Sequence, residues 1–215
     1  ILNDEQMDVF LSAVEQDPIW RDFFYTELTT GLRLGEICGL MWSDFDERKG
    51  TLHIRRTLHR EKGGRLVVGD PKTCAGARTI VLPSSTAELL RLRKKTSYSS
   101  WIFHNPLHPE APMNPAAAYR QLKKILEESN LPDIRFHDLR HTFATHALAN
   151  GVDAKTLSGI LGHTKASFTV DTYTHTTSDM HRKAAEIVGG FLTDYLGEEM
   201  APWQSAENAE TAAST

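Results

Sequence analysis

The chain has 215 residues, of which 40% are hydrophobic and 24% are charged, and its formal net charge is −4 at pH 7. This composition supports a folded core and excludes extensive disorder, and no apolar run approaches the roughly 20 residues that span a bilayer. We therefore expect a cytoplasmic protein without a secretory signal, whose two cysteines stay unpaired.

Three helices are predicted at the start of the chain. Asn3 and Asp4 precede apolar residues at helical spacing, which predicts a capped helix that ends near Val14. A second helix is predicted from about Ile19 to Gly31, and a short third one over residues 34–41.

A basic stretch rich in strand-forming residues follows. Residues 51–58, 65–68 and 78–82 have strand character and are joined by basic turns, which predicts a small three-stranded antiparallel sheet. Residues 48–95 include 13 basic and 3 acidic residues, a local net charge of +10. Such a run is either a solvated face or a surface that follows nucleic-acid phosphates, and charge alone does not decide between them.

The second half of the chain is predicted to be mainly helical, so the fold class is α+β, with the small sheet inserted among helices. Helices are expected from Pro83 and from Asn114, and over 137–150, 153–161 and 181–197, with a lone short strand at 101–103. Residues 198–215 contain four Glu and no Lys or Arg, which is typical of a flexible acidic tail.

Five polar clusters lie at predicted helix ends and turns. They centre on Arg33 with Glu36, on Lys72, on His137 with Arg140, on His163 and on Tyr173. Taken singly, each has an ordinary structural explanation, such as a surface ion pair, a solvated lysine or a histidine at a helix end. His137 and Arg140 are three residues apart and share a helix face, where an imidazole and a guanidinium suit an anionic oxygen.

In this order and spacing, the clusters resemble the catalytic domain of tyrosine recombinases, the family of phage and conjugative-transposon integrases and Xer-type resolvases. The resemblance is carried by Thr30-Gly-Leu-Arg-Leu-Gly-Glu-Ile, by Lys72 followed by Arg78-Thr-Ile-Val-Leu-Pro, by His137-Asp-Leu-Arg-His-Thr-Phe-Ala-Thr, by Leu161-Gly-His and by Tyr173-Thr-His. Five such motifs together are far more specific than any one of them.

The resemblance implies site-specific DNA recombination or integration by a mobile element, through a 3′-phosphotyrosyl intermediate and without metal, ATP or another cofactor. It implies a catalytic domain over 1–180 and an upstream core-binding domain that this chain, beginning at Ile1, does not include. The helix over 181–197 would dock either on a neighbouring protomer or on its own domain. The partners would be double-stranded DNA, three further protomers in a tetramer on DNA, and accessory DNA-bending or directionality factors, in the nucleoid of a bacterium.

The resemblance also gives each residue a role. Arg33 and Arg140 would hold the non-bridging oxygens of the phosphate, and Tyr173 would attack the phosphorus. Lys72 would protonate the departing 5′-oxygen, His137 would help to deprotonate the tyrosine, and His163 would donate a hydrogen bond to the phosphate. Glu36 would orient either Arg33 or the region of His137 without touching the phosphate.

Three alternatives remain open at this point. A type IB topoisomerase shares the chemistry but relaxes supercoils without exchanging partners. A zinc hydrolase would use histidines at ligand-like spacing (His137, His141, His146 and His163), although Arg140 would oppose a dication and Asp138 replaces the expected Glu. A non-catalytic DNA-binding relative should have lost Tyr173 or an arginine, and this chain has not.

Overall fold

The computed structural model describes residues 1–61, 64–70 and 76–163. Lys72, Cys74, Tyr173, the predicted helix over 181–197 and the predicted tail over 198–215 lie outside the described residues. Within them, the helices are α1 (Asp4–Val14), α2 (Pro18–Thr30), α3 (Leu34–Cys38), α4 (Ser84–Thr96), α5 (Pro115–Glu128), α6 (Phe136–Ala149) and α7 (Ala154–Leu161). None of these helices is long and apolar enough to cross a membrane.

The helix ends follow the capping residues of the sequence. The Asn3 side chain accepts a hydrogen bond from the backbone N–H of Gln6 at the start of α1, and Asp153 caps α7 in the same way. Two helices end at glycines in the left-handed conformation, Gly31 after α2 and Gly162 after α7. A Cβ on Gly31 would lie 2.3 Å from the ring of Phe143, so position 31 also requires glycine for space.

The strands of the described segments form three small antiparallel sheets. The first has the order β1 (Phe45–Asp46), β2 (Thr51–Ile54) and β5 (Arg78–Val81). The second is a ribbon of β3 (Thr57–Arg60) and β4 (Leu66–Gly69), and the third pairs β6 (His104–Asn105) with β7 (His108–Pro112). The register of the first sheet places Ile54 opposite Arg78 and Thr51 opposite Val81.

The mainly helical α+β prediction is confirmed, but the strands are arranged differently in detail. The stretch expected as one strand over 51–58 leaves the ladder at Arg55 and Arg56, because the Arg56 side chain turns inward to the buried carboxylate of Asp44. Its first half therefore pairs with β5 and its second half with β4. The third strand of the larger sheet is β1, which the sequence did not predict, and residue 101 makes only an isolated bridge to Met41.

An aromatic cluster fills the centre of the core. Its rings pack mainly edge to face, with centroids 5.2–6.3 Å apart, and they come from α1, α2, α6 and the segment before β6: Phe10, Phe23, Phe24, Phe103 and Phe136. Such geometry adds to the free energy of burial. The cluster packs α2 against α6; α6 carries Arg140, and α2 ends at Gly31, whose carbonyl accepts a hydrogen bond from Arg140.

Candidate active site

Arg140 lies at the meeting point of three helices. It belongs to α6 and is 1% exposed, one of the largest fully buried side chains among the described residues. Its Nη1 donates to the carbonyl of Gly31 at 2.7 Å, and its Nη2 donates to the carbonyl of Leu161 at 2.6 Å. These carbonyls lie at the C-terminal ends of α2 and α7, where the helix itself supplies no partner. The guanidinium therefore both joins the helices and is fixed in place by them.

His163 follows the left-handed Gly162 and contacts the same guanidinium. Its Nε2 lies 3.0 Å from Nη2 of Arg140. Burial, and then the positive charges of Arg140 and Arg33, lower the pKa of His163 from 6.5 to about 4. The ring is therefore neutral at pH 7, and because an arginine can only donate, Nε2 accepts and the ring proton is on Nδ1.

Arg33 occupies the N-terminal cap of α3, and Glu36 anchors it one turn later. The Glu36 carboxylate accepts a hydrogen bond from the backbone N–H of Arg33 at 3.0 Å and another from its Nη1 at 2.8 Å. The Glu36 side chain is 2% exposed, whereas that of Arg33 is 41% exposed. The Arg33 guanidinium is thus fixed through Nη1, while much of the side chain is exposed to solvent.

Glu36 remains ionised despite its burial. Burial would raise the pKa of this carboxyl, but the hydrogen bonds and charge of Arg78, together with those of Arg33, outweigh burial and lower the pKa. Arg78 was noted in the sequence only as part of the motif after Lys72. A signal for it was present, since Arg78 is two residues before the buried Ile80 on β5 and so shares its inward face.

His137 lies on the first turn of α6, three residues before Arg140. Burial, and then the charges of His141, Arg140 and Arg33, lower the pKa of His137, against a smaller opposing effect of Asp138. The His137 and His141 rings are perpendicular, with centroids 4.7 Å apart. An imidazole with a lowered pKa is neutral at pH 7 and is a weak base. His137 can therefore take up a proton briefly during a reaction, but it does not carry a positive charge at rest.

The structure brings together five of the residues singled out in the sequence: Arg33, Glu36, His137, Arg140 and His163. The positive charges of both arginines lower the pKa of both histidines. The two guanidinium groups are therefore close enough to both imidazole rings to act on them electrostatically. Two guanidinium groups beside two imidazoles suit an anion with several oxygens. Neither Lys72 nor Tyr173 falls among the described residues, so their positions in this site stay predictions.

The histidines of the zinc alternative are not gathered at one point. His146 contacts the N-terminal segment, with Nε2 3.2 Å from the Leu2 carbonyl and Nδ1 3.3 Å from the Asp4 carboxylate. In the part of the chain that the structure describes, no three His, Cys, Asp or Glu side chains are grouped to hold a metal ion.

The lowered pKa values of the histidines at this site predict that the folded protein loses stability in acid. The unfolded chain protonates His163 near pH 6.5, whereas the folded chain does so only near pH 4, so protons favour unfolding between these values. We expect the free energy of unfolding to fall as the pH is lowered through this window, with His137 and His141 adding effects of the same sign. In urea titrations from pH 7 to 4, His163→Gln should flatten the dependence, and exposed His108→Gln should not. Equal slopes for wild type and His163→Gln would contradict the assignment.

Residues 1–180 match the phage integrase family. A tyrosine recombinase XerC-like protein of Caldanaerobacter subterraneus subsp. tengcongensis is 30% identical over 205 residues, covering 86% of this chain and 52% of that protein. The transposase of transposon Tn916 from Enterococcus faecalis is 29% identical over 200 residues, covering 83% of this chain and 48% of that protein. The chain spans about half the length of these curated relatives.

Solved structures give a similar result. The integrase of transposon Tn1549, in complex with transposon right end DNA, has a TM-score of 0.73 and 27% identity to this chain. The match covers 87% of this chain and 65% of that one.

Proposed function

This chain belongs to the phage integrase family, and on that premise we propose that it cleaves and rejoins DNA at specific sites as the integrase of a mobile element. The observation that carries the proposal is the convergence of Arg33 and Arg140, which are distant in sequence, beside two neutral histidines. The names of the relatives, which include the transposase of transposon Tn916 and the integrase of transposon Tn1549, support the assignment to mobile elements.

The two arginines bind the non-bridging oxygens of the scissile phosphate. A phosphodiester resists attack because its own negative charge repels a nucleophile, and further charge develops in the pentacoordinate transition state. Arg140 is fixed by two backbone carbonyls, and Arg33 is fixed by Glu36, so neither group needs to reorganise as that charge develops.

Tyr173 supplies the nucleophile and Lys72 the general acid. The phenolic oxygen of Tyr173 forms a bond to phosphorus as the bond from phosphorus to the 5′-oxygen breaks, which leaves a 3′-phosphotyrosyl link. The phenolic proton passes toward His137, and Lys72 gives a proton to the departing 5′-oxygen. Attack by a 5′-hydroxyl from another strand reverses these steps, because phenolate is an adequate leaving group.

His163 acts as a neutral hydrogen-bonding group beside Arg140. Its Nε2 accepts from the Arg140 guanidinium and thereby orients it, while the proton on Nδ1 provides a donor. A bound phosphate would favour protonation of this ring, because negative charge nearby raises the pKa of an imidazole.

A nicked suicide duplex tests the proposal. Its short fragment bearing the 5′-hydroxyl diffuses away after cleavage, so the covalent complex cannot religate. With a pool of nicked duplexes randomised around the nick and EDTA present, we expect an SDS-resistant adduct at Tyr173. Tyr173→Phe should form none, whereas Tyr98→Phe, at an exposed tyrosine, should form the wild-type amount. An adduct that survives Tyr173→Phe, or that requires a divalent metal, would contradict the mechanism.

Fewer basic side chains of the stretch over residues 48–95 are available to contact DNA than its sequence indicates. Six of its basic side chains are engaged in ion pairs with acidic residues: Lys49, Arg56, Arg78, Arg91, Arg93 and Lys94. Arg55, Arg60 and Arg65 are exposed on or beside the β3–β4 ribbon, and among the described residues they make no ion pair. We propose that these three arginines contact the DNA backbone.

Salt titration of DNA binding tests this surface. Because each phosphate contact contributes about 0.9 to the slope of log affinity against log salt, substituting Arg55, Arg60 and Arg65 by Gln should reduce that slope by up to about 3. The matched control replaces three basic residues that are already paired with acidic ones, Lys49, Arg91 and Lys124. If the control reduces the slope as much, the ribbon is not the DNA-binding surface.

We extend the proposal to assembly. Recombination joins two duplexes and needs four cleavages, so four protomers would act together on DNA, with accessory DNA-bending or directionality factors where the element requires them. The helix predicted over 181–197 would join neighbouring protomers or pack on its own domain.

A further inference from the structure

Arg78, on β5, connects the two halves of the phosphate site. Its Nη1 and Nη2 donate to the two carboxylate oxygens of Glu36 at 3.1 and 3.0 Å. Its Nε donates to the carbonyl of Ile160 at 2.6 Å, and Nη1 also donates to the carbonyl of Gly76 at 3.0 Å. One guanidinium therefore contacts the carboxylate that holds Arg33 and the end of the helix that leads to His163.

The ion pair with Glu36 keeps Arg78 from binding phosphate itself. Both of its Nη atoms donate to the Glu36 carboxylate, which balances its charge, and its Nε donates to a backbone carbonyl. Arg140, by contrast, donates to neutral carbonyls, so its positive charge is not balanced by a carboxylate in these contacts. Arg78 therefore acts on a substrate only through its neighbours.

We propose that Arg78 is a positioning residue that sets the distance between Arg33 and the Arg140–His163 pair. The inference rests on the proposed function, because it concerns the alignment of that same phosphate site. Through Glu36, Arg78 fixes the base of Arg33. Through the Ile160 carbonyl, it fixes the last turn of α7, whose next carbonyl, that of Leu161, accepts from Arg140. Strand β5 thus holds α3 and α7 at one separation.

The consequence of removing Arg78 follows from the charges. Glu36 would stay buried with Arg33 as its remaining arginine partner, so the carboxylate would draw Arg33 inward and away from solvent. The end of α7 would lose a bond to the sheet at the same time. Both changes misalign the groups that hold the phosphate, without removing any of them.

The test measures the single-turnover rate of adduct formation on the nicked duplex pool, at saturating protein. Arg78→Gln should slow the reaction by about 10- to 100-fold, since a displacement of roughly 1 Å is enough for such a loss. Arg78→Lys keeps the charge but cannot reach Glu36 and Ile160 together, and it should fall between Arg78→Gln and wild type. DNA affinity should change less than about twofold, because exposed arginines elsewhere carry the contacts with the backbone.

Arg93→Lys is the matched control for loss of stability. Arg93 is 12% exposed, donates from Nε to the Ile102 carbonyl at 2.9 Å and pairs with the buried Asp22, so its surroundings are like those of Arg78. Its substitution should lower the urea midpoint but leave the cleavage rate per folded molecule unchanged.

A double-mutant cycle with Glu36→Gln identifies the route of the effect. If Arg78 acts through Glu36, the loss in the double variant should be smaller than the product of the two single losses. A wild-type rate per folded molecule in Arg78→Gln, or a purely multiplicative double variant, would overturn the inference while leaving the proposed function intact. If wild-type protein forms no adduct at all, the proposed function fails and this inference fails with it.

Discussion

Arg140→Lys is expected to slow formation of the DNA adduct severely and to destabilise the fold in the same variant. A lysine cannot make the two-pronged contact with phosphate oxygens, and the loss of one such donor group slows catalysis by roughly 10²- to 10³-fold. The lysine also cannot donate hydrogen bonds to the Gly31 and Leu161 carbonyls together. Each buried carbonyl left without a donor lowers the free energy of unfolding by about 1–3 kcal/mol.

The two losses can be measured separately. Urea titration gives the free energy of unfolding, and the single-turnover adduct assay, corrected for the folded fraction, gives the rate. Leu122→Ala serves as the control, because it removes a fully buried side chain of α5 at a cost of about 2–5 kcal/mol and should leave the rate per folded molecule unchanged. Adduct formation by Arg140→Lys at the wild-type rate would refute the role of this guanidinium.

Local sequence signals were sufficient to predict most of the helices. Asn3, Asp153 and the left-handed glycines at 31 and 162 satisfy the ends of their helices through contacts within a few residues, so the sequence alone indicates them. The pairing of strands is not local. The break at Arg55 and Arg56 depends on Asp44, and no local signal indicates that the second half of the predicted strand pairs with β4 instead of β5.

The shared helix face of His137 and Arg140 was predictable, but their environments were not. The spacing of His137 and Arg140 placed them on one face of a helix, and α6 confirms that placement. Nothing in that spacing indicates that Arg140 is buried and bonded to the ends of two other helices, since those partners are 109 and 21 residues away. Arg78 was overlooked for the same reason, because its partner Glu36 is 42 residues away.

Arg33→Lys is expected to lose adduct formation as severely as Arg140→Lys, at a much smaller cost in stability. The side chain of Arg33 is 41% exposed, and the Glu36 carboxylate would keep its hydrogen bond from the backbone N–H of residue 33. In this variant Arg78 still pairs with the buried Glu36 carboxylate and the lysine keeps the positive charge, so the expected loss of stability is at most about 1 kcal/mol. The rate should still fall by about 100-fold or more, because a lysine presents a point charge where two parallel donors are needed.

Arg135→Lys is the matched control for this variant. Arg135 caps α6 as Arg33 caps α3, and it pairs with Asp138 three residues later, as Arg33 pairs with Glu36. Arg135→Lys should change neither the rate nor, beyond about 1 kcal/mol, the free energy of unfolding. Equal rates for Arg33→Lys and Arg135→Lys would mean that Arg33 is only a helix cap. If Arg33→Lys loses rate without a large loss of stability, Arg33 acts on the phosphate alone. If Arg140→Lys loses both rate and stability, Arg140 acts on the phosphate and also stabilises the fold.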